Sequence, residues 1–316
     1  MKYINSFYCL TFICLTNFSL GVTAQINKVV ITNGWEFRQV GTAKWNAATV
    51  PGEVHSDLLN NKMIPDPYYR DNEEKLQWIE KKDWEYKTSF SVSPSTLKQK
   101  NAELVFDGLD TYATVYLNGK LVLKADNMFR QWRVNVKPYL RSGENSLKIV
   151  FESAQNVVDS LAKKDLPFVI PDNPRTYVRK AQYHFGWDWG PRFVTSGIWK
   201  PISVLAWNDV KIEDFYVKQE SLSDKLAVLN GQLQVQSTKN QIANVEISIN
   251  GKTEIKKEIQ LKAGNNDVFI PFQIKNPKRW WTNGLGKPNL YDIKATVSVG
   301  NSSDYSSREV GLRTLR

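Results

Sequence analysis

The residues best suited to chemistry lie between Asp165 and Lys200. This stretch reads Leu-Pro-Phe-Val-Ile-Pro-Asp-Asn-Pro-Arg and then Arg-Lys-Ala-Gln-Tyr-His-Phe-Gly-Trp-Asp-Trp-Gly-Pro-Arg. It shows no regular periodicity, and an irregular segment of this length inside a compact domain is uncommon and usually functional. At its centre stands Trp187-Asp188-Trp189-Gly190. A carboxylate held between two indoles suits a sugar, because the rings pack on C–H faces while the carboxylate accepts hydrogen bonds from hydroxyls. The competing assignment is structural, with Trp187 and Trp189 packing the loop and Asp188 paired with Arg192. Composition alone favours this second assignment, since aromatic clusters are more often core than binding site.

Other acids and bases offer less. Glu73-Glu74 and Glu213-Asp214 are adjacent pairs on polar segments, and neighbours on a strand point to opposite faces, so each pair reads as solvated charge. The only two histidines are His55 and His184, and they lack metal-ligand spacing. His184, separated from Trp187 by Phe185 and Gly186, either helps orient the loop or is a satisfied structural histidine. Both cysteines, Cys9 and Cys14, fall near the N-terminus, which removes thiolate metal sites from the rest of the chain. No metal and no cofactor is expected.

The elements that must position the loop are mostly strands. Trp84, Tyr86, Thr88, Phe90 and Val92 alternate with Glu85, Lys87, Ser89 and Ser91, which predicts one packed and one wet face. Asn118-Gly119 between Thr114–Leu117 and Lys120–Leu123 predicts a hairpin with a type I′ turn, and Asn250-Gly251 repeats the signal between Val245–Ile249 and Thr253–Ile259. Further strands are expected at Ala102–Phe106, Leu147–Phe151, Ile202–Ala206, Val268–Phe272 and Leu290–Val299. Only Val54–Asn60 and Ala154–Lys164 read as helical. The class is all-β. A boundary is expected near Trp207-Asn208-Asp209. Before it, residues 25–208 fit a jelly-roll, galactose-binding-like sandwich; after it, residues 209–316 fit an immunoglobulin-like sandwich.

Bulk properties narrow the setting. The 316 residues are 41% hydrophobic and 23% charged, ordinary for a globular chain with room for two cores. Lys2, the apolar run Phe7–Phe18 and Val22-Thr23-Ala24 form a leader, with cleavage expected after Ala24 and residues 1–24 removed. The run is shorter than the ~18 apolar residues a membrane span requires, so no membrane anchor is expected, and the protein is placed in the periplasm or outside the cell. Net charge is +10, but Lys and Arg are interleaved with Asp and Glu. That pattern describes a solvated basic surface, with no nucleic-acid partner.

The loop then acquires a specific meaning. Phe185-Gly186-Trp187-Asp188-Trp189-Gly190-Pro191-Arg192 resembles the loop by which the first domain of family 2 glycoside hydrolases of the β-mannosidase type reaches into the active site. Val50-Pro51-Gly52-Glu53-Val54-His55, Ile64-Pro65-Asp66-Pro67-Tyr68-Tyr69, Tyr112 to Gly119, Gly197-Ile198-Trp199-Lys200-Pro201 and Trp280-Trp281 follow the same pattern in order. The resemblance implies a sugar-binding sandwich, an immunoglobulin-like domain and then a (β/α)8 barrel with two catalytic glutamates, which serve a retaining reaction at roughly 5 to 5.5 Å separation. A barrel requires about 250 residues, so no catalytic residue is assigned up to Arg316. The implied ligand is a mannose-containing oligosaccharide, bound through Trp187, Asp188 and Trp189, with His184 and Arg192 as further candidates. A freestanding glycan-binding protein, a two-sandwich scaffold and the same portion of a related exo-β-glucosaminidase are the competing expectations.

Overall fold

In the computed structural model, residues 26–164 and 174–315 are described. The expected leader, its cleavage site before Gln25 and residues 165–173 of the long loop lie outside the described residues.

Two sandwiches follow one another along the chain, each closed around its own core. In the first, six strands form one sheet in the order Asn46–Ala47, Glu36–Gln39, Trp84–Val92, Gly143–Glu152, Tyr112–Leu117 and Lys120–Ala125. Four form the other, in the order Asn27–Val30, Ile202–Trp207, Asn101–Phe106 and Trp132–Asn135. The alternation in Trp84–Val92 appears as burial of Trp84, Tyr86, Thr88, Phe90 and Val92. It is paired antiparallel with Gly143–Glu152, from Trp84 opposite Phe151 to Val92 opposite Gly143. Phe37, Tyr86 and Phe151 meet in the core, with 5.8 Å between successive ring centroids. Each such ring removed from water contributes about 1.5–3 kcal/mol. The expected wet face has one exception: Glu85 is buried, because Arg38 Nε donates to it at 2.6 Å and Lys148 lies 3.7 Å away.

Both Asn-Gly turns form as expected. Asn118 and Gly119 take φ of 50° and 79°, and Asn250 and Gly251 take 49° and 80°, the paired positive angles of a type I′ turn. The second sandwich opposes Val210–Leu222, Leu226–Ser237 and Gly264–Lys275 to Lys252–Leu261, Gln241–Ile249, Tyr291–Val299 and Ser302–Val310. Leu226–Ser237 and Ser302–Val310 were not foreseen. In the former, Gly231 interrupts an otherwise alternating core face of Ala227, Leu229, Leu233 and Val235. The latter is a polar edge strand whose buried positions are Ser302 and Asp304. The helices Val54–Asn60 and Ala154–Lys164 are present, joined by short ones at Asn72–Lys75 and Pro94–Lys98. No described helix is long and apolar enough to cross a membrane.

The first core draws on residues from Ile31 to Val204 and the second on residues from Val210 to Leu312. Asn208 and Asp209 alone connect strand Ile202–Trp207 to strand Val210–Leu222. Asn101 Nδ2 donates to Asn208 O at 2.9 Å, and Lys100 N donates to Asn208 Oδ1 at 3.0 Å.

Candidate functional site

Helix Val54–Asn60 and the 182–195 loop enclose a cleft of about 780 Å³ at the first sandwich. The helix begins where it does because the Glu53 carboxylate accepts from His55 N at 2.7 Å and Ser56 N at 2.8 Å, taking up donors that a helix N-terminus leaves open. Burial would raise the Glu53 pKa, but the nearby His55 side chain and its backbone N–H, with help from Ser56, bring it to about 2. Asp57 fixes the helix to the sheet, accepting from Tyr86 Oη at 2.9 Å and Thr49 N at 2.8 Å. Its burial lifts that carboxyl to about 6.

The loop lies directly against this helix. Gly52 N donates to Ile198 O and Val54 N to Ser196 O, both at 2.9 Å. A side chain at Gly197 would place its Cβ 2.7 Å from Glu53 Cα and from Gly52 O, so the backbones approach this closely only because residue 197 has none.

Aromatic rings form the cleft's rim. Trp187 and Trp189 stand 5.8 Å apart, edge to face, on a tight turn closed by reciprocal bonds between Trp187 and Gly190. Trp189 is 84% exposed and Tyr68 77%. Phe193 meets Tyr68 and His55 at 5.4 Å. Large rings left exposed in one concavity are available to pack on a ligand, whereas a loop core would have covered them.

Beneath the rim is a buried polar cluster. Asp110 is 2% exposed and Lys180 1%, and the ammonium of Lys180 donates to Asp110 Oδ2, to Thr195 O at 2.9 Å and to Thr195 Oγ1 at 3.1 Å. Thr195 Oγ1 lies 2.6 Å from Asp110 Oδ2 and 3.2 Å from His184 Nδ1. Burial lowers the Lys180 pKa against the pull of Asp110. Burial, then the Lys180 ammonium, lowers His184 to about 4. Its imidazole is therefore neutral at pH 7. His55 Nδ1 lies 3.3 Å from Glu53 Oε2, near enough for attraction, yet makes no well-directed hydrogen bond.

The structure brings Trp187, Trp189 and His184 to the cleft wall. Asp188 sits exposed at the tip of the turn between the two indoles. Arg192 turns the other way. Its Nε and Nη2 reach the buried Glu80 at 3.1 and 2.8 Å, Nη2 also reaches Gln155 at 2.7 Å, and Nη1 donates to Phe185 O at 3.1 Å. The competing Asp188–Arg192 pair is therefore absent, because the guanidinium's carboxylate partner is Glu80 and it clamps the loop from below. The adjacent acids are not merely solvated either. Glu73 accepts from Arg192 N at 2.5 Å, and Glu213 pairs with Lys211 at 2.7 Å. Asp110, Lys180 and Thr195 were missed by the sequence reading.

Comparison with known proteins adds the remaining findings. Residues 35–200 match the galactose-binding domain-like region of glycosyl hydrolase 2, and residues 210–313 match glycosyl hydrolases family 2. A beta-mannosidase B of Thermothelomyces thermophilus is 34% identical over 296 residues, covering 90% of this chain and 34% of that protein. The beta-mannosidase B of Emericella nidulans is 35% identical, covering 90% and 35%. Among solved structures, the beta-D-mannosidase of Dictyoglomus thermophilum superposes with a TM-score of 0.84 at 36% identity, covering 92% of this chain and 36% of that one. An exo-chitosanase of Amycolatopsis orientalis shares the fold at 21% identity and a TM-score of 0.72. The chain spans about a third of the length of the curated relatives it matches.

Proposed function

We propose, from the premise that this chain belongs to family 2 of the glycosyl hydrolases, that it is the N-terminal, sugar-facing portion of a retaining exo-β-mannosidase. The observation that carries this reading is the cleft at the first sandwich, where exposed indoles of Trp187 and Trp189 overhang a polar floor. Its ligand is a terminal β-linked mannose of a manno-oligosaccharide or glycan. The indoles stack on the ring's C–H faces, and Asp188 at the turn's tip accepts hydroxyl hydrogen bonds. Arg192 serves by holding the loop to Glu80, so that the turn keeps its position.

Bond cleavage requires a proton donor and a nucleophile, both carboxyls in this class of reaction. Among the described residues lining the cleft, Glu53 is the one carboxylate, and it is committed to capping a helix, while Asp188 lies on the exposed turn outside that lining. The reading therefore places both catalytic carboxyls on a (β/α)8 barrel outside these 316 residues. It keeps residues 25–208 as the sugar-binding unit and 209–316 as the immunoglobulin-like unit, exported by the leader.

Extending the coding frame beyond Arg316 and assaying both products tests the proposal. The longer product is expected to hydrolyse an aryl β-mannoside, and the 316-residue chain alone is not. A frame that stops there, with glycan binding by the chain alone, would move the function to a freestanding binder. Turnover by the short chain that is lost on changing an acid within it would place the catalytic centre here instead.

A further inference from the structure

We infer that His184 presents a bare ring nitrogen to the cleft, its imidazole being the Nδ1–H tautomer and its Nε2 accepting a hydrogen bond from a hydroxyl of the bound sugar. The choice of ligand rests on the function proposed above; the tautomer does not.

The hydrogens around Thr195 can be counted. Its Oγ1 has three polar neighbours: Asp110 Oδ2 at 2.6 Å, Lys180 Nζ at 3.1 Å and His184 Nδ1 at 3.2 Å. The ammonium can only donate, and its three hydrogens go to Asp110, Thr195 O and Thr195 Oγ1. The Asp110 carboxylate can only accept, and it also takes the Thr111 hydroxyl on its other oxygen. Thr195 has one hydroxyl hydrogen and two candidates for it, Asp110 and His184. The carboxylate is both charged and nearer, so the hydrogen goes there. That leaves two lone pairs on Oγ1, one facing Lys180 and the other facing His184. Two lone pairs do not bond to one another, so Nδ1 must carry the proton.

A neutral imidazole holds a single N–H, and burial, joined by the Lys180 ammonium, keeps this ring neutral, with its pKa lowered to about 4. With Nδ1 protonated, Nε2 is an acceptor. Nε2 has no hydrogen-bond partner among the described residues and is not one of their sealed, unpaired atoms, and the ring lines the cleft. Tyr183 packs edge-on against the ring at 4.8 Å and holds its plane. Asp110, Lys180 and Thr195 are thus positioning residues that act through His184, while His184 itself touches the ligand. A sugar hydroxyl oriented to donate fits this nitrogen, whereas an ether oxygen at the same place meets lone pair against lone pair.

Long-range proton–nitrogen NMR on the ¹⁵N-labelled 316-residue chain reads the tautomer directly. A His55→Gln variant assigns the remaining ring. At pH 7 the His184 Nδ1 is expected at a protonated position and Nε2 at a bare one. Thr195→Ser should preserve this pattern and Thr195→Val should lose it. A protonated Nε2 in the wild-type chain overturns the inference whatever the chain binds. Methyl β-mannoside is expected to shift Nε2 while Nδ1 stays nearly in place. If the sugar perturbs the Trp187 and Trp189 indoles but leaves Nε2 unmoved, the acceptor role is overturned and the sugar cleft stands. If it perturbs neither, both fall together.

Discussion

Lys180 and Lys211 are each 1% exposed, and each pairs with carboxylates. Their surroundings separate them. Among the described residues Lys180 pairs with the single carboxylate of Asp110, sealed from water beneath a neutral imidazole and an open aromatic cleft. Lys211 joins Glu103 at 2.6 Å and Glu213 at 2.7 Å, side chains 15% and 23% exposed, and Arg133 reaches the same two acids at 3.5 and 3.2 Å. The first is a one-to-one pair under an open cleft. The second is a mixed cluster at the joint between the two sandwiches, where Glu103 belongs to one and Lys211 to the other. Burial of a charge does not by itself mark a site; an unfilled concavity directly above it does.

The largest expected effect follows from that contrast. Lys180→Met strands a buried carboxylate and should cost about 3–5 kcal/mol in the unfolding transition of the first sandwich. Lys211→Met leaves Arg133 beside two partly wet acids and should cost only about 1–2 kcal/mol. Asp110→Asn should recover part of the Lys180→Met loss, a nonadditivity that chemical denaturation of the two single variants and the double would measure. Equal losses for Lys180→Met and Lys211→Met would erase the distinction.

Next in size is the loop itself. Arg192→Ala removes the clamp on Glu80 and should lower stability by about 1.5–3 kcal/mol, with faster proteolysis between residues 184 and 197. Asp188→Ala should leave the melting temperature within about 0.5 kcal/mol of wild type. In a family-length enzyme carrying this chain it should reduce kcat/KM by about 10- to 100-fold, the equivalent of one charged acceptor. The two changes should add in stability, since Arg192 and Asp188 share no bond. Wild-type kcat/KM in Asp188→Ala would remove the residue from the sugar site.

The finest distinction is with pH. Unfolded His184 takes up a proton near 6.5, which the folded ring refuses until about 4, so the stability it contributes is full above pH 6.5 and lost as pH falls through that window. Asp57 acts oppositely. Its folded carboxyl keeps a proton up to about 6 that the unfolded chain releases near 3.8, so stability falls as pH rises between those values. Melting temperature of the first sandwich should therefore change little from pH 4 to 6. His184→Gln should expose a decline with rising pH, and Asp57→Asn a rise. Below pH 4.5, protonation of Glu53 toward its folded value of about 2 should destabilise both variants alike. Identical profiles for both variants between pH 4 and 6 would refute this opposition.

What the sequence disclosed depended on whether a residue's role is local. Asn118-Gly119 and Asn250-Gly251 announce their turns because the required dihedrals belong to those two residues. Trp187 and Trp189 were legible through the break in periodicity around them. Glu85 was misjudged because its burial depends on Arg38, 47 positions earlier in the chain. Asp110, Lys180 and Thr195 were not legible at all. Lys180 lies 70 residues from its carboxylate partner, and a basic residue in a polar loop looks like any solvated one. Only folding reveals that its water has been removed.

The two-residue connector at Asn208-Asp209 carries a mechanical consequence. Two extended residues reach roughly 7 Å, and these are also tethered to Lys100 and Asn101. Such a link has no slack to absorb a tug, so a torque applied to the second sandwich is passed to strand Ile202–Trp207. That strand lies inside its sheet, flanked by Asn27–Val30 and Asn101–Phe106. Just before it, Ile198 and Ser196 are bonded to the start of the cleft helix. The second sandwich is therefore joined, through one short and tethered step of chain, to the same stretch of backbone that is bonded to the start of the cleft helix.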